Sequence, residues 1–274
     1  MFKRMQTLGW ILILALTAPA QAQDALKAAI DAPQRTPEFV ARDGYRHPYQ
    51  TLTFFGIKPD MTVVELSPGA GWYTEILAPY LKDRGQLYAA HFDPDTKSEY
   101  FQKTRKAFID KLKAQPEVYG KVAVTIFDPP KQVNIAPPGS ADLVLTFRNV
   151  HNWYMRGGGQ DKLDAAFKAM YVALKPGGTL GVVDHRLPAD RPASAQEDSG
   201  YLHEAFVIAA AERAGFKLAA TSEINANPKD TADHPNGVWS LLPSLRVDDA
   251  QKDKYKAIGE SDRMTLKFIK PLTS

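Results

Sequence analysis

The chain contains no cysteine. This excludes disulfides, thiolate metal sites and a cysteine nucleophile, and it suits an oxidising compartment in which a free thiol is a liability. Excess charge is also lacking: 34 Lys and Arg against 31 Asp and Glu leave a formal net charge of +3 over 274 residues. That is too little for a nucleic-acid footprint, so no nucleic-acid partner is expected. Long hydrophobic runs are absent apart from one near the start, and Leu8 to Ala18 is too short to span a bilayer. No stable membrane insertion of the mature chain is therefore expected. Lys3 and Arg4 precede this run and Ala20-Gln21-Ala22 follows it in the small-x-small form of a cleavage site, the pattern of a secretory signal peptide. Cleavage after Ala22 takes 22 residues from 274 to leave 252, and two positive charges from +3 to leave +1. The expectation is an exported, periplasmic protein, with an uncleaved anchor as the alternative.

Hydrophobic residues make up 44% of the chain, enough for the core of one domain with an N-terminal extension. Residues 25–50 read as helical and loosely attached, a lid or approach segment, with Thr36 able to cap and Pro37 suited to a first helical position. From Lys58 onward strand and helix patterns alternate: "MTVVEL", "GQLYAAHF", "KVAVTIF", "ADLVLTF" and "GTLGVVDH" as strands, with helices between most of them. Such alternation implies a mostly parallel sheet covered on both faces. "FKLAATSEI" and "RMTLKFIK" are two last strands with no helix read between them, so they are expected to pair antiparallel at one edge. "YLHEAFVIAAAERAG" reads as a helix throughout, and no internal repeat is present.

Two turns stand out. "VVELSPGAGWYTEIL", residues 63–77, runs from a strand through a glycine turn into a helix; Gly69 and Gly71 would let a ligand approach the backbone, and Glu65 at the strand end can accept hydrogen bonds. Ser67 stands where a further glycine would be expected, so its backbone should not depend on a positive φ. In "ALKPGGTLGVVD", residues 173–184, Pro176 ends a helix and the glycines allow reversal into the next strand. The fourth strand ends in "TFRNVHNWYM", which crowds Arg148, Asn149, His151 and Asn152 where a ligand of such a sheet belongs. His151 is of the right type for a general base, or it is a histidine satisfying a turn. Asp184, His185 and Arg186 follow the fifth strand and can approach His151. Two histidines and a carboxylate also suit a metal, but their spacing matches no dense ligand motif, so none is assigned. Trp153, Arg186, Tyr201 and His203 are read as a substrate pocket. The long polar stretch to Trp239, which includes His234, is either an exposed hairpin loop or a flap over the site.

The pairing of Glu-x-x-x-Gly-x-Gly after one strand with Leu-Lys-Pro-Gly-Gly about a hundred residues later resembles the class I S-adenosylmethionine-dependent methyltransferases, over roughly residues 50–270. With "FRNVHNW", "GESDRMTLKF" and the exported start, the chain is similar to a group of predicted exported methyltransferases. The resemblance implies an α/β, Rossmann-like fold: a seven-stranded, mostly parallel sheet with helices on both faces and an antiparallel C-terminal hairpin. It divides the chain into a signal peptide at 1–22, a helical extension or lid at 23–57 and a methyltransferase-like domain at 58–274. It implies S-adenosylmethionine as cofactor, with Glu65, Gly69 and Gly71 at its methionine portion and Ser67 and Tyr73 among the other cofactor-binding residues. Asp128 falls where the family places an acid near the adenine, or else caps a loop. The ribose-binding acid of the second strand is replaced by His91; either this imidazole contacts the ribose, helped by Asp93, or it is an ordinary strand-end residue. Chemistry would fall to His151, Arg148, Asn149, Asp184 and His185, acting on a small or peptide-like acceptor. The competing expectation is a protein that kept the fold, lost the cofactor and handles another ligand through His151, Asp184 and His185.

Overall fold

The computed structural model describes residues 17–155 and 157–272. The hydrophobic start of the expected signal peptide lies outside the described residues. Helix α1 (Thr17–Ile30) passes through Ala22, and α2 (Pro37–Val40), α3 (Asp43–Arg46) and α4 (Pro48–Phe55) complete an N-terminal helical segment. Among the described residues no helix is long and apolar enough to cross a membrane.

The sheet begins with β1 (Thr62–Leu66), followed by α5 (Thr74–Leu81), β2 (Gln86–His91), α6 (Glu99–Ala114), α7 (Pro116–Tyr119) and β3 (Ala123–Ile126). Its second half has β4 (Ala141–Phe147), α8 (Val150–Tyr154), α9 (Gly159–Ala173), β5 (Leu174–Leu187), β6 (Leu202–His203), α10 (Glu204–Arg213), β7 (Lys217–Ser222), α11 (Lys252–Ile258) and β8 (Arg263–Ile269). The order across the sheet is β3-β2-β1-β4-β5-β8-β7, with β6 attached to β5 alone. Strands β1 to β5 are parallel to their neighbours, whereas β8 is antiparallel to both β5 and β7. This is the expected α/β sheet with its antiparallel edge, and the order in which strands are added reverses between β1 and β4, where such sheets place their ligands.

Both faces are covered because alternate strand residues point to opposite sides and both sides are apolar. Val64, Val144, Val182 and Leu266 pack with Leu163, Phe167 and Met170 of α9 and Val207 of α10. Val63, Leu87, Leu145 and Val183 pack on the other face with Leu52 and Phe55 of α4, Ile76 and Leu77 of α5, and Leu26 and Ala29 of α1. The N-terminal segment is thus part of the second core layer and not loosely attached. Polar contacts fasten it further. The guanidinium of Arg35 donates to both oxygens of Asp43 at 2.6 and 2.9 Å, and Trp72 Nε1 donates to Phe39 O at 2.9 Å. Thr36 precedes Pro37 as expected, but its hydroxyl donates to Glu75 at 2.6 Å and makes no helix-capping bond.

Three local expectations need correction. The segment from Tyr201 is not helical throughout: Leu202 and His203 first pair with Arg186 and Leu187, and the helix starts at Glu204. The Lys-Pro-Gly-Gly turn is no reversal outside the strand. The helix ends at Ala173, two residues before the pre-proline Lys175, which is biased against helix, and residues 174–178 form the irregular first part of β5, across a register shift opposite Ala141. Helix α11 intervenes between the last two strands; Tyr255 is its one buried residue, so it carries no apolar periodicity to read.

Gly181, in the middle of β5, is where α4 seats. A Cβ there would lie 2.7 Å from Phe55 Cγ and 2.8 Å from Leu145 Cδ2. Gly181→Ala should therefore overpack the layer and cost about 1–3 kcal/mol, measured as a lower urea midpoint with unchanged m-value.

Candidate active site

The glycine turn after β1 is held from behind. His91 is fully buried, and both ring nitrogens are occupied: the Phe92 N–H donates to Nδ1 at 2.8 Å, so Nε2 carries the proton and donates to Gly69 O at 2.9 Å. Burial, with a smaller push from the Arg105 charge, lowers its pKa to about 4 against the raising effect of the Gly69 bond. Phe108 flanks the ring at 4.8 Å. His91 is therefore a brace for the turn, and neither nitrogen is left for a ribose. Lys111 Nζ pulls on the next carbonyl, Ala70 O, at 2.9 Å and bonds Glu75 at 2.5 Å. Since a trans peptide sets its N–H opposite its C=O, the Ala70 N–H faces away from His91.

Ser67 departs from its expected conformation: φ is +46°, in the left-handed region, even though it is not glycine and precedes a proline. This costs roughly 1–2 kcal/mol, offset by the Ser67 N–H bond to Ala90 O at 2.8 Å and by packing. The two glycines divide their tasks. A Cβ on Gly69 would meet no heavy atom within 4 Å, so this residue faces open space, whereas one on Gly71 would meet the Phe108 ring at 3.2 Å. Gly71 thus serves helix packing and Gly69 offers the close approach. Glu65 is buried and accepts from Thr74 Oγ1 at 2.6 Å; burial raises its carboxyl to about 7 against that bond and the Lys111 charge. Tyr73 lies flat on Phe147, centroids 3.5 Å apart at 11°. Asp93 accepts from Gln132 Nε2 at 2.8 Å and Asp95 N at 2.9 Å, and Asp128 closes its loop through backbone bonds with Lys131 and Gln132.

The ends of β4 and β5 bring the predicted catalytic group together. The Asp184 carboxylate is fully buried and accepts three N–H bonds: His151 Nδ1 at 2.7 Å and His185 N at 2.7 Å on Oδ1, and His151 N at 3.0 Å on Oδ2. His151 must hold its proton on Nδ1, which leaves the lone pair of the neutral ring on Nε2. The His185 ring lies tilted against it with centroids 4.9 Å apart and is paired with Ser261 Oγ at 2.5 Å; burial first, then the neighbouring His151 and Arg148, push its pKa well below the ordinary imidazole value. Ligand atoms of His151, Asp184 and His185 lie within 4.8 Å of one another and could hold a metal, but both carboxylate oxygens already carry hydrogen bonds. Arg148 sits at φ +62° with its N–H on Val183 O at 2.7 Å. Asn149 is structural, its Nδ2 donating to Leu66 O at 3.0 Å to tie the end of β4 to that of β1.

The expected substrate walls are otherwise engaged. Trp153 is buried in the core edge-on to Phe127, and Arg186 is bound by Glu223, Asp262 and Glu204. Tyr201 packs 6.0 Å from His185 with its hydroxyl on Asp230. His203 donates its backbone N–H to Gln196 at 2.8 Å, and its Nε2 is buried without a partner. The polar stretch after β7 is not an exposed loop: His234 binds Asp230 at 2.8 Å, and Trp239 comes within 6.3 Å of His151. Sequence reading missed Arg42, Arg46, Glu260 and Ser261, which reach the site from opposite ends of the chain; their only signal was a cluster of charges beside Pro48 and within "GESDR".

Two outcomes test the turn. A folded-state pKa depressed from 6.5 means that His91 contributes stability above the unfolded value that is lost as pH falls towards 4, on the order of 3 kcal/mol. Glu65, raised to about 7, works in the opposite direction, losing stability as pH rises from 4.5. The readout is therefore the difference from His91→Gln, which should lose less stability than the wild type between pH 6.5 and 4 in urea titrations. Ser67→Gly should gain up to about 1 kcal/mol, the relieved strain less the added backbone entropy of glycine; an unchanged melting curve would contradict the strain.

No family model matches the sequence, and no curated protein does. The fold, by contrast, has many solved counterparts. A SAM-dependent methyltransferase from Aquifex aeolicus superposes with a TM-score of 0.55 at 16% identity, covering 90% of this chain and 98% of that one. A putative sarcosine dimethylglycine methyltransferase from Galdieria sulphuraria gives 0.57 at 13% identity, covering 89% and 90%. The [4+2]-cyclase SpnF gives 0.53 at 13% identity, covering 93% and 96%. The chain has the Rossmann-like fold shared by these two methyltransferases and this cyclase.

Proposed function

We propose that this protein is an S-adenosylmethionine-dependent methyltransferase acting on a small or peptide-like acceptor after export. The observation that carries the reading is the His151–Asp184 pair at the end of β4, beside a glycine turn whose Gly69 is open to close approach. The methionine portion of the cofactor fits that turn: Gly69 leaves room, the Ala70 N–H is turned away from its brace, and Glu65 is positioned at the strand end. Bound there, the cofactor would supply an electrophilic methyl group on a sulfonium. The chain's own contribution is proton removal. His151 accepts the acceptor's proton at Nε2, while Asp184 fixes the tautomer and stabilises the resulting imidazolium. Export accords with the N-terminal pattern, and cleavage after Ala22 would spare Leu26 and Ala29, the residues that pack α1 into the core.

One observation favours a second reading, in which the fold is kept without the cofactor: the ribose position offers no free carboxylate, His91 being a brace and Asp93 engaged by Gln132.

Calorimetric titration of the mature chain with S-adenosylmethionine and S-adenosylhomocysteine decides between them. Micromolar binding, about −8 kcal/mol, weakened at least tenfold in Gly69→Ala, supports the methyltransferase; no binding to folded protein overturns it. With an acceptor that the wild type methylates, His151→Ala should lower the rate roughly 10²–10⁴-fold and leave S-adenosylhomocysteine affinity unchanged. A fully active variant would remove His151 from the chemistry.

A further inference from the structure

Beside the His151–Asp184 pair lies a small cavity lined by Arg46, Tyr73, Phe147, Arg148, Val183 and Arg263. Arg42, the residue before α3, meets Arg46 and Arg263 at one carboxylate: Glu260 accepts from Arg42 Nε at 2.6 Å, Arg263 Nη1 at 3.1 Å and Arg46 Nε at 3.4 Å. Arg148 lines the same cavity and its charge acts on each of the other three. Four guanidiniums against one carboxylate leave an excess of three positive charges, held where Arg46 and Arg263 are each only 3% exposed. Of the neighbouring acids, Asp262 adds a lesser attraction for Arg263 while its own hydrogen bonds go to Arg186, and Asp184 spends its oxygens on His151 and the His185 amide.

The donors are not used up either. Arg42 Nη2, Arg46 Nη2 and Arg263 Nε are buried without a hydrogen-bond partner. Buried polar groups are almost always paired, and buried charges more so, because the lost hydration must be replaced. A guanidinium presents its N–H groups as a planar fork matched to the paired oxygens of carboxylate and phosphate. The placement is fixed by the sheet: Arg263 is the register partner of His185 across β5 and β8, so both side chains leave the same face, and Arg148 is three residues before His151.

We propose that this arginine pocket binds an oxyanion, a carboxylate or phosphate group, carried by the methyl acceptor, and so orients the acceptor's reacting atom towards His151. The pocket stands independently of the cofactor; its assignment to an acceptor rests on the function proposed above.

The test uses the full mature chain at low ionic strength, titrated calorimetrically with inorganic phosphate and with acetate, against chloride at matched ionic strength. Phosphate or acetate should bind where chloride does not, the tighter of the two naming the headgroup. Arg148→Gln, which removes no bond to Glu260, should weaken that binding at least tenfold, with Arg148→Lys in between because it keeps the charge and loses the fork. S-adenosylhomocysteine affinity should be the same in all three proteins. Oxyanion binding equal in wild type and Arg148→Gln, or no oxyanion binding at all, overturns the proposal. So does a parallel loss of S-adenosylhomocysteine affinity, which would give the pocket to the cofactor's own carboxylate. Oxyanion binding that follows this pattern in a chain that takes up no S-adenosylhomocysteine leaves the pocket standing and counts against the methyltransferase reading instead.

Discussion

A carboxylate placed where no water reaches it must be answered by donors, and Asp184 organises the end of the sheet around that need. It takes one N–H from the backbone of its own strand and two from the first turn after β4, one backbone and one imidazole. The pair of strands is thereby locked at the point where their side chains leave the core, and two histidines are set in fixed orientations 4.9 Å apart. A structural requirement and a chemical one are met by the same three bonds. They act together with Asn149, the Arg148 amide and the buried Val150 and Trp153 to define the path of the chain after β4.

The glycine turn follows a different logic. Its geometry is imposed from outside, by an imidazole and an ammonium that draw on consecutive carbonyls, and it tolerates a left-handed serine because those restraints over-determine it. In a turn built this way the residue at the end of β2 is a support for the loop, and it cannot also serve as a ligand. His91 thus decides how the loop is held up.

Much of the fold was legible because strands buried on both faces are runs of apolar residues, as in "TVVEL" and "ADLVLTF", and because α9 repeats its apolar positions at helical spacing. Helix α11 was illegible because it buries a single tyrosine. His151, Asp184 and His185 were singled out together because strand ends are where ligands bind in such sheets, and the structure does bring the three side by side. The roles of Trp153, Arg186 and Tyr201 were misread because nothing in a linear pattern distinguishes a polar group facing a cavity from one facing its structural partner. Arg42, Arg46 and Glu260 escaped for a related reason: charge near a proline or in a polar stretch looks like solvated surface until distant segments are brought together.

That distance matters for how the site comes into being. The bond from Arg42 to Glu260 spans 218 residues, and Arg263 reaches back to the carbonyl of Tyr45 across the same separation. Parallel strands can pair in sequence as a chain lengthens, but these contacts close only when β8, the last strand, has been inserted between β5 and β7. Until those contacts close, Arg42, Arg46 and Arg148 are without the carboxylate of Glu260, which lies more than a hundred residues further along the chain. The cavity is therefore among the last features to form, and a molecule that possesses it has necessarily finished folding.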